Sequence, residues 1–134
     1  MTKPAVDVLL FRLGNCRLAV ELHLVSSVLA PSDAQGMDQL DPRPHLGTLD
    51  ADGEAPPLSD DDHRVGLLDI SGPPMVVILG EIVGAQTLHP ADLLVVPPWL
   101  AGFLPPILRP ACAVIDQKVV WLLDLDTLTV TSLL

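Results

Sequence analysis

An all-β domain, closed as a barrel or a sandwich, is the fold class this sequence predicts, and three observations predict it. Short apolar runs rich in valine and leucine recur along the chain, each bounded by glycine, proline or other turn-forming residues. Hydrophobic residues make up 49% of the 134 residues and charged residues 18%, enough to bury a core without disulfides or metal. Aromatic residues are only 3%, with no tyrosine, so that core must be built from Val, Leu and Ile, stiff side chains that suit a pleated surface.

The stretch 5–22 reads as a hairpin, two apolar runs separated by Gly14 and Asn15, a pair that readily supplies positive φ. In its second run Cys16, Leu18, Val20 and Leu22 alternate with Arg17, Ala19 and Glu21, which gives one buried face. From His23 to Leu29 the spacing of Leu24, Val25, Val28 and Leu29 predicts a short helix, stopped by Pro31. Val25, Val28 and Leu29 could equally pack inward or line a partner's groove.

Between Ser32 and His63 the character changes: nine acids, a single arginine at Arg43 and four prolines, with apolar residues too scattered to define a face. This predicts a long solvated loop with at most two weak strands, near Leu46 to Leu49 and Ala55 to Leu58. A loop of that length in a compact domain is unusual and points to function or local disorder. Its acidic part, Asp50 to Asp62, reads most simply as solubilising, or as a docking segment for a basic partner.

Strand signals return at Arg64 to Ile70, turn at Ser71 and Gly72, and continue from Met75 to Leu88, where Gly80 and Gly84 predict bends or bulges. Pro90 to Leu94 allows one helical turn. The crossing from Pro97 to Pro110 contains too many prolines for a central strand over most of its length. Within it Trp99, Leu100 and Phe103 form an apolar cluster, either an exposed partner site or a lid over the core. A second hairpin, turning at Asp116 to Lys118, precedes a short closing segment from Asp126 to Leu134.

Several function classes are disfavoured by chemistry. The formal net charge of −10 opposes binding to nucleic acid or anionic lipid. Cys16 and Cys112 lie in strand-like sequence without metal-ligand spacing and read as free core thiols. The N-terminus lacks a signal peptide's apolar stretch, and the aliphatic runs are far too short to span a bilayer, so the expected location is the cytoplasm, without membrane insertion. His23, His45, His63 and His89 are scattered and none accompanies a nucleophile turn, so no catalytic residue is assigned and no enzyme is expected. The run Asp60, Asp61, Asp62, His63 offers hard-metal ligands but not the spacing of a calcium loop, and no glycine pattern cradles a phosphate. No metal or cofactor is expected.

Three landmarks in order nevertheless carry a resemblance. The first is Phe11 to Leu29, with Phe11, Gly14, Glu21 and Val25 at the positions of an F-x-L-G turn, an acidic strand end and a valine on the following segment. The second is Gly47 to Asp60, where Gly47, Gly53, Pro57 and Asp60 fit the pattern G-V-x-N-L-R-G-x-x-x-P-V-x-D. The third is the apolar strand Val119 to Leu128, ending in acidic residues and leucine. In these features the chain resembles the CheW family of chemosensory adaptors over nearly its whole length.

That resemblance implies two small five-stranded SH3-like β-barrels sharing a hydrophobic groove, with one or two short helices. It implies one domain over 1–134, with segments 5–31 and 110–134 forming one barrel and 45–100 the other, intertwined. It implies a non-enzymatic adaptor that couples the cytoplasmic tip of a methyl-accepting chemoreceptor to a CheA-type histidine kinase or to another CheW-like protein. The protein-binding residues carried over are Glu21, Val25, Ser27, Gly47, Asp52 and Gly53. Departures accompany them: Asp50 replaces the family's Asn, Asp52 its Arg, Ser27 an acid after Val25, and Gly80 an Asp at a strand end. A basic contact made acidic repels its former partner, so the usual kinase contact is expected to be weakened relative to receptor or adaptor contacts. The competing class is a small β-barrel that binds or transforms a ligand, which would need a deep pocket with convergent polar groups. A third reading is a homo-oligomer paired through barrel edges.

Overall fold

The architecture is organised by its first hairpin, because β1 (Val6–Leu13) and β2 (Cys16–Glu21) are apolar on both faces. They pair antiparallel from Val8 opposite Glu21 to Leu13 opposite Cys16, as the alternation predicts. Leu9, Phe11 and Leu13 of β1 point one way with Cys16, Leu18 and Val20 of β2, into a large core. Val8 and Ala19 point the other way, into a small one. A half-buried surface strand would show only one such face, so this hairpin is a wall between two cores. The computed structural model describes residues 5–13, 16–42, 63–69, 73–125 and 127.

The predicted helix is a correction. Leu22–Leu24 form one 3-10 turn, and the chain then extends as β3 (Val25–Leu29), antiparallel to β5 (Arg64–Leu68). Valine and serine are mediocre helix formers, and only a few residues carried the helical spacing. Pairing with β5 adds a ladder that a one-turn helix cannot match, and Ser26 Oγ donates to the Leu67 carbonyl at 3.1 Å where the register shifts.

The predicted loop from Ser32 is also more ordered than expected. Pro31–Ala34 make a 3-10 turn that buries Ala34, and β4 (Asp38–Leu40) runs parallel to the start of β6 (Met75–Leu88). Only Leu40 of β4 is buried, too little for a periodic signal. The weak strands expected near Leu46 and Ala55, like the turns at Gly14, Asn15, Ser71 and Gly72, lie outside the described residues.

β6 is where the two halves join. Its first part pairs with β5, ending at Arg64 opposite Gly80, and its second part pairs with β1, beginning at Glu81 opposite Arg12. Gly80 sits at the hand-over with φ +69, and a Cβ there would strike the Arg12 carbonyl oxygen, so glycine is required at that point. Near Gly84 the register slips by one residue, leaving Val83 as a bulge between the partners of Leu10 and Phe11. Both predicted bends are therefore real. The antiparallel pair is pinned at each end: Arg12 donates to Glu81 at 2.5 Å, and the Thr87 hydroxyl donates to Asp7 at 2.6 Å.

A 3-10 turn at Pro90–Asp92 leads into β7 (Leu93–Val95), then α1 (Pro98–Ala101), β8 (Leu108–Ile115) and β9 (Lys118–Leu123). The β8–β9 turn, at Asp116 and Gln117, has φ of +51 and +66, the left-handed pair of a tight hairpin. β9 then lies parallel to β2. The strand order is β3-β5-β6-β1-β2-β9-β8-β7, with β4 on β6 beside that path. Thus β3 joins β5 and β7 joins β8. The expected all-β class stands, with very few helical residues.

Candidate interaction surface

Glu21, Val25 and Ser27 are close in sequence and end in three environments. Glu21, the last residue of β2, is partly buried and accepts a hydrogen bond from Arg109 Nη1 at 2.6 Å, tying β2 to the start of β8. His23 Nε2 stands 3.4 Å from the other carboxylate oxygen. Val25 packs into the large core, where Gly66 lacks the side chain that would crowd its Cγ1. Of its two open readings, the inward one describes this side chain. Ser27 is exposed on β3, next to the exposed Val28. Gly47, Asp52 and Gly53, with the acidic run Asp60 to Asp62, lie outside the described residues.

The rest of the surface is apolar at the far end of the strand order. Val95 is 80% exposed, Trp99 74% and Phe103 78%, with Leu94 and Leu100 beside them in sequence. Hydrogen bonds from Leu100 and Ala101 to the Pro97 carbonyl, and from Phe103 to the Leu100 carbonyl, hold this proline-framed knuckle. The apolar cluster is therefore a surface feature and not a lid. Exposed aromatic and aliphatic side chains gathered in one segment mark a contact site more often than chance. Among the described residues, the two ends of the strand order, β3 and β7, each offer an edge with outward-facing residues.

Cys16 and Cys112 are buried and form no disulfide, and burial pushes the Cys112 thiol above its ordinary pKa. Among the described residues no three His, Cys, Asp or Glu side chains gather as a metal site, and no helix is long and apolar enough to cross a membrane. A hollow of about 290 Å³ lies beside the Glu21–Arg109 pair, lined mainly by aliphatic side chains. Nothing local to Glu21 signals its partner, since Arg109 lies 88 residues away. The one available sign was a lone cation in the otherwise apolar run from Pro105 to Val114.

This arrangement of strands matches a solved structure. The crystal structure of the scaffolding protein TtCheW from Thermoanaerobacter tengcongensis superposes with a TM-score of 0.64, covering 90% of this chain and 89% of that one. The chain has the CheW fold. Sequence identity to TtCheW is 14%, so the shared feature is the backbone, while most residues differ. No family model matches the sequence, and no curated protein matches it.

Proposed function

We propose that this chain is a non-enzymatic adaptor of a bacterial chemosensory system, working in the cytoplasm through its surfaces and not through chemistry. The observation that carries the reading is the match to a scaffolding protein over nine-tenths of the chain. An adaptor must hold two partners, and the strand order supplies two separated edges: β3 with Ser27 and Val28, and β7 with the Val95–Phe103 knuckle.

The partners are the cytoplasmic tip of a methyl-accepting chemoreceptor and either another CheW-like protein or a CheA-type histidine kinase. Kinase affinity is reduced, because Asp52 places a carboxylate where the family carries a guanidinium, and like charge across an interface costs affinity and slows association. Glu21, Val25, Ser27, Gly47, Asp52 and Gly53 lie on or beside the contact surfaces in this reading, and two SH3-like barrels within one domain form the scaffold. Weak contacts of this size become useful when many copies are held together in an array.

Co-sedimentation with a receptor signalling fragment and, separately, with the regulatory domain of a CheA-type kinase tests this. The receptor fragment should be retained and the kinase domain should not, and Asp52→Arg should raise kinase retention. Failure to retain any of these partners would sink the adaptor reading; strong kinase binding and activation by the unaltered chain would sink the charge-reversal argument alone.

A further inference from the structure

The small core does not fill its half of the molecule. Side chains alternate across each strand, so Val6, Val8, Ala19, Glu21, Leu93, Val95, Arg109, Ala111 and Leu122 share the face that carries this core. At its base Val8, Ala19, Leu88, Ala113 and Val120 pack together and are buried. Above them lies the hollow of about 290 Å³, open to solvent on the side where Val95 is largely exposed. The reason for the space is chemical: Ala19, paired with Leu10 and Leu122, and Ala111, paired with Val95, stand where a strand face ordinarily carries a branched side chain. Protein interiors leave few voids larger than a water molecule, whereas ligand pockets begin at roughly 300 Å³. This hollow belongs with the latter.

Its electrostatics narrow what it can hold. The ionisable residues that line it are Glu21 and Arg109, and they are bonded to each other at 2.6 Å. His23 stands outside, against the second Glu21 oxygen. An anionic ligand at Arg109 meets the Glu21 carboxylate beside it, and a cationic one at Glu21 meets the Arg109 guanidinium, so either charge gains one attraction and suffers one repulsion. A neutral group that both donates and accepts, such as a hydroxyl or an amide, can bond to the pair without breaking it. Water alone is a poor occupant over most of the space, because the aliphatic walls give it too few partners.

We infer that the hollow beside the Glu21–Arg109 pair is a binding site for a small, uncharged, largely aliphatic molecule carrying one hydroxyl or amide group. This goes beyond the adaptor reading and does not rest on it, since the hollow is lined by residues of this chain alone.

The test uses the full chain and three probes of one shape: cyclohexanol, cyclohexanecarboxylate and cyclohexylammonium, titrated while methyl resonances are followed by NMR. Cyclohexanol should give saturable shifts centred on Ala19, Ala111 and Leu93, and the two charged probes should bind at least ~10-fold more weakly, a difference of about 1.4 kcal/mol. Ala111→Leu should fill the floor and abolish the cyclohexanol shifts. Should that variant fail to fold, the charge series on the unaltered chain decides. No saturable shift with cyclohexanol overturns the inference. So does equal or tighter binding of a charged probe, or shifts confined to the Trp99–Phe103 knuckle.

Discussion

The two cores on either side of the β1–β2 hairpin are built from the same residue types and packed to different ends. On one side Phe11, Leu13, Leu18, Val76, Val77 and Leu79 are essentially excluded from solvent and fill their space. On the other, Val8, Leu88 and Val120 are joined by Ala19 and Ala113, and a hollow opens above them. One hairpin thus supports a filled half, which supplies stability, and an open half, which supplies surfaces. The apolar knuckle lies on β7 and the adjoining crossing, and the Glu21–Arg109 pair joins the end of β2 to β8, beside the hollow.

The sharpest way to break that comparison is truncation on each side of the wall. Phe11→Ala should cost about 3–5 kcal/mol, the usual range for an aromatic lost from a filled core. Val8→Ala should cost only roughly 1–2 kcal/mol, since it removes two methyl groups next to space that already exists. Urea denaturation of both variants measures this, and equal losses would erase the distinction. A second contrast separates stability from binding. Trp99→Ala combined with Phe103→Ala should shift stability by no more than about 0.5 kcal/mol. The same variant should weaken binding to the receptor fragment by at least ~10-fold if these residues anchor the contact. The smallest effect belongs to the β8–β9 turn, where Asp116 and Gln117 both hold positive φ. Gln117→Gly should stabilise the chain by about 0.5–1 kcal/mol, read as a rise in the denaturation midpoint, by relieving a conformation that glycine adopts freely.

Much of the fold is legible in the sequence where the physics is local. Both hairpins, the bends at Gly80 and Gly84, and the helical turn at Pro90 follow from period-two alternation and turn chemistry. What misled was brevity. Over Leu24 to Leu29 apolar residues fall at helical spacing by coincidence, and a strand partner 41 residues away in sequence, at Leu67, decides the outcome. β4 contributes one buried residue, Leu40, and one residue has no period. The sites were harder still. The Glu21–Arg109 pair and the alanine-floored hollow depend on contacts between segments at opposite ends of the chain. By contrast, the exposure of Trp99 and Phe103 was one of two readings the proline-framed sequence allowed.

An adaptor of this fold needs the two edges of the strand order to be working contact surfaces. Hydrogen exchange of the full chain, with and without a saturating chemoreceptor signalling fragment, reads this directly. The expected result is slowed exchange in β3 or across Leu94 to Phe103 while the amides of β1 and of the first half of β6 stay unchanged. A complex that forms with no new protection at either edge would contradict it, as would protection confined to the filled core.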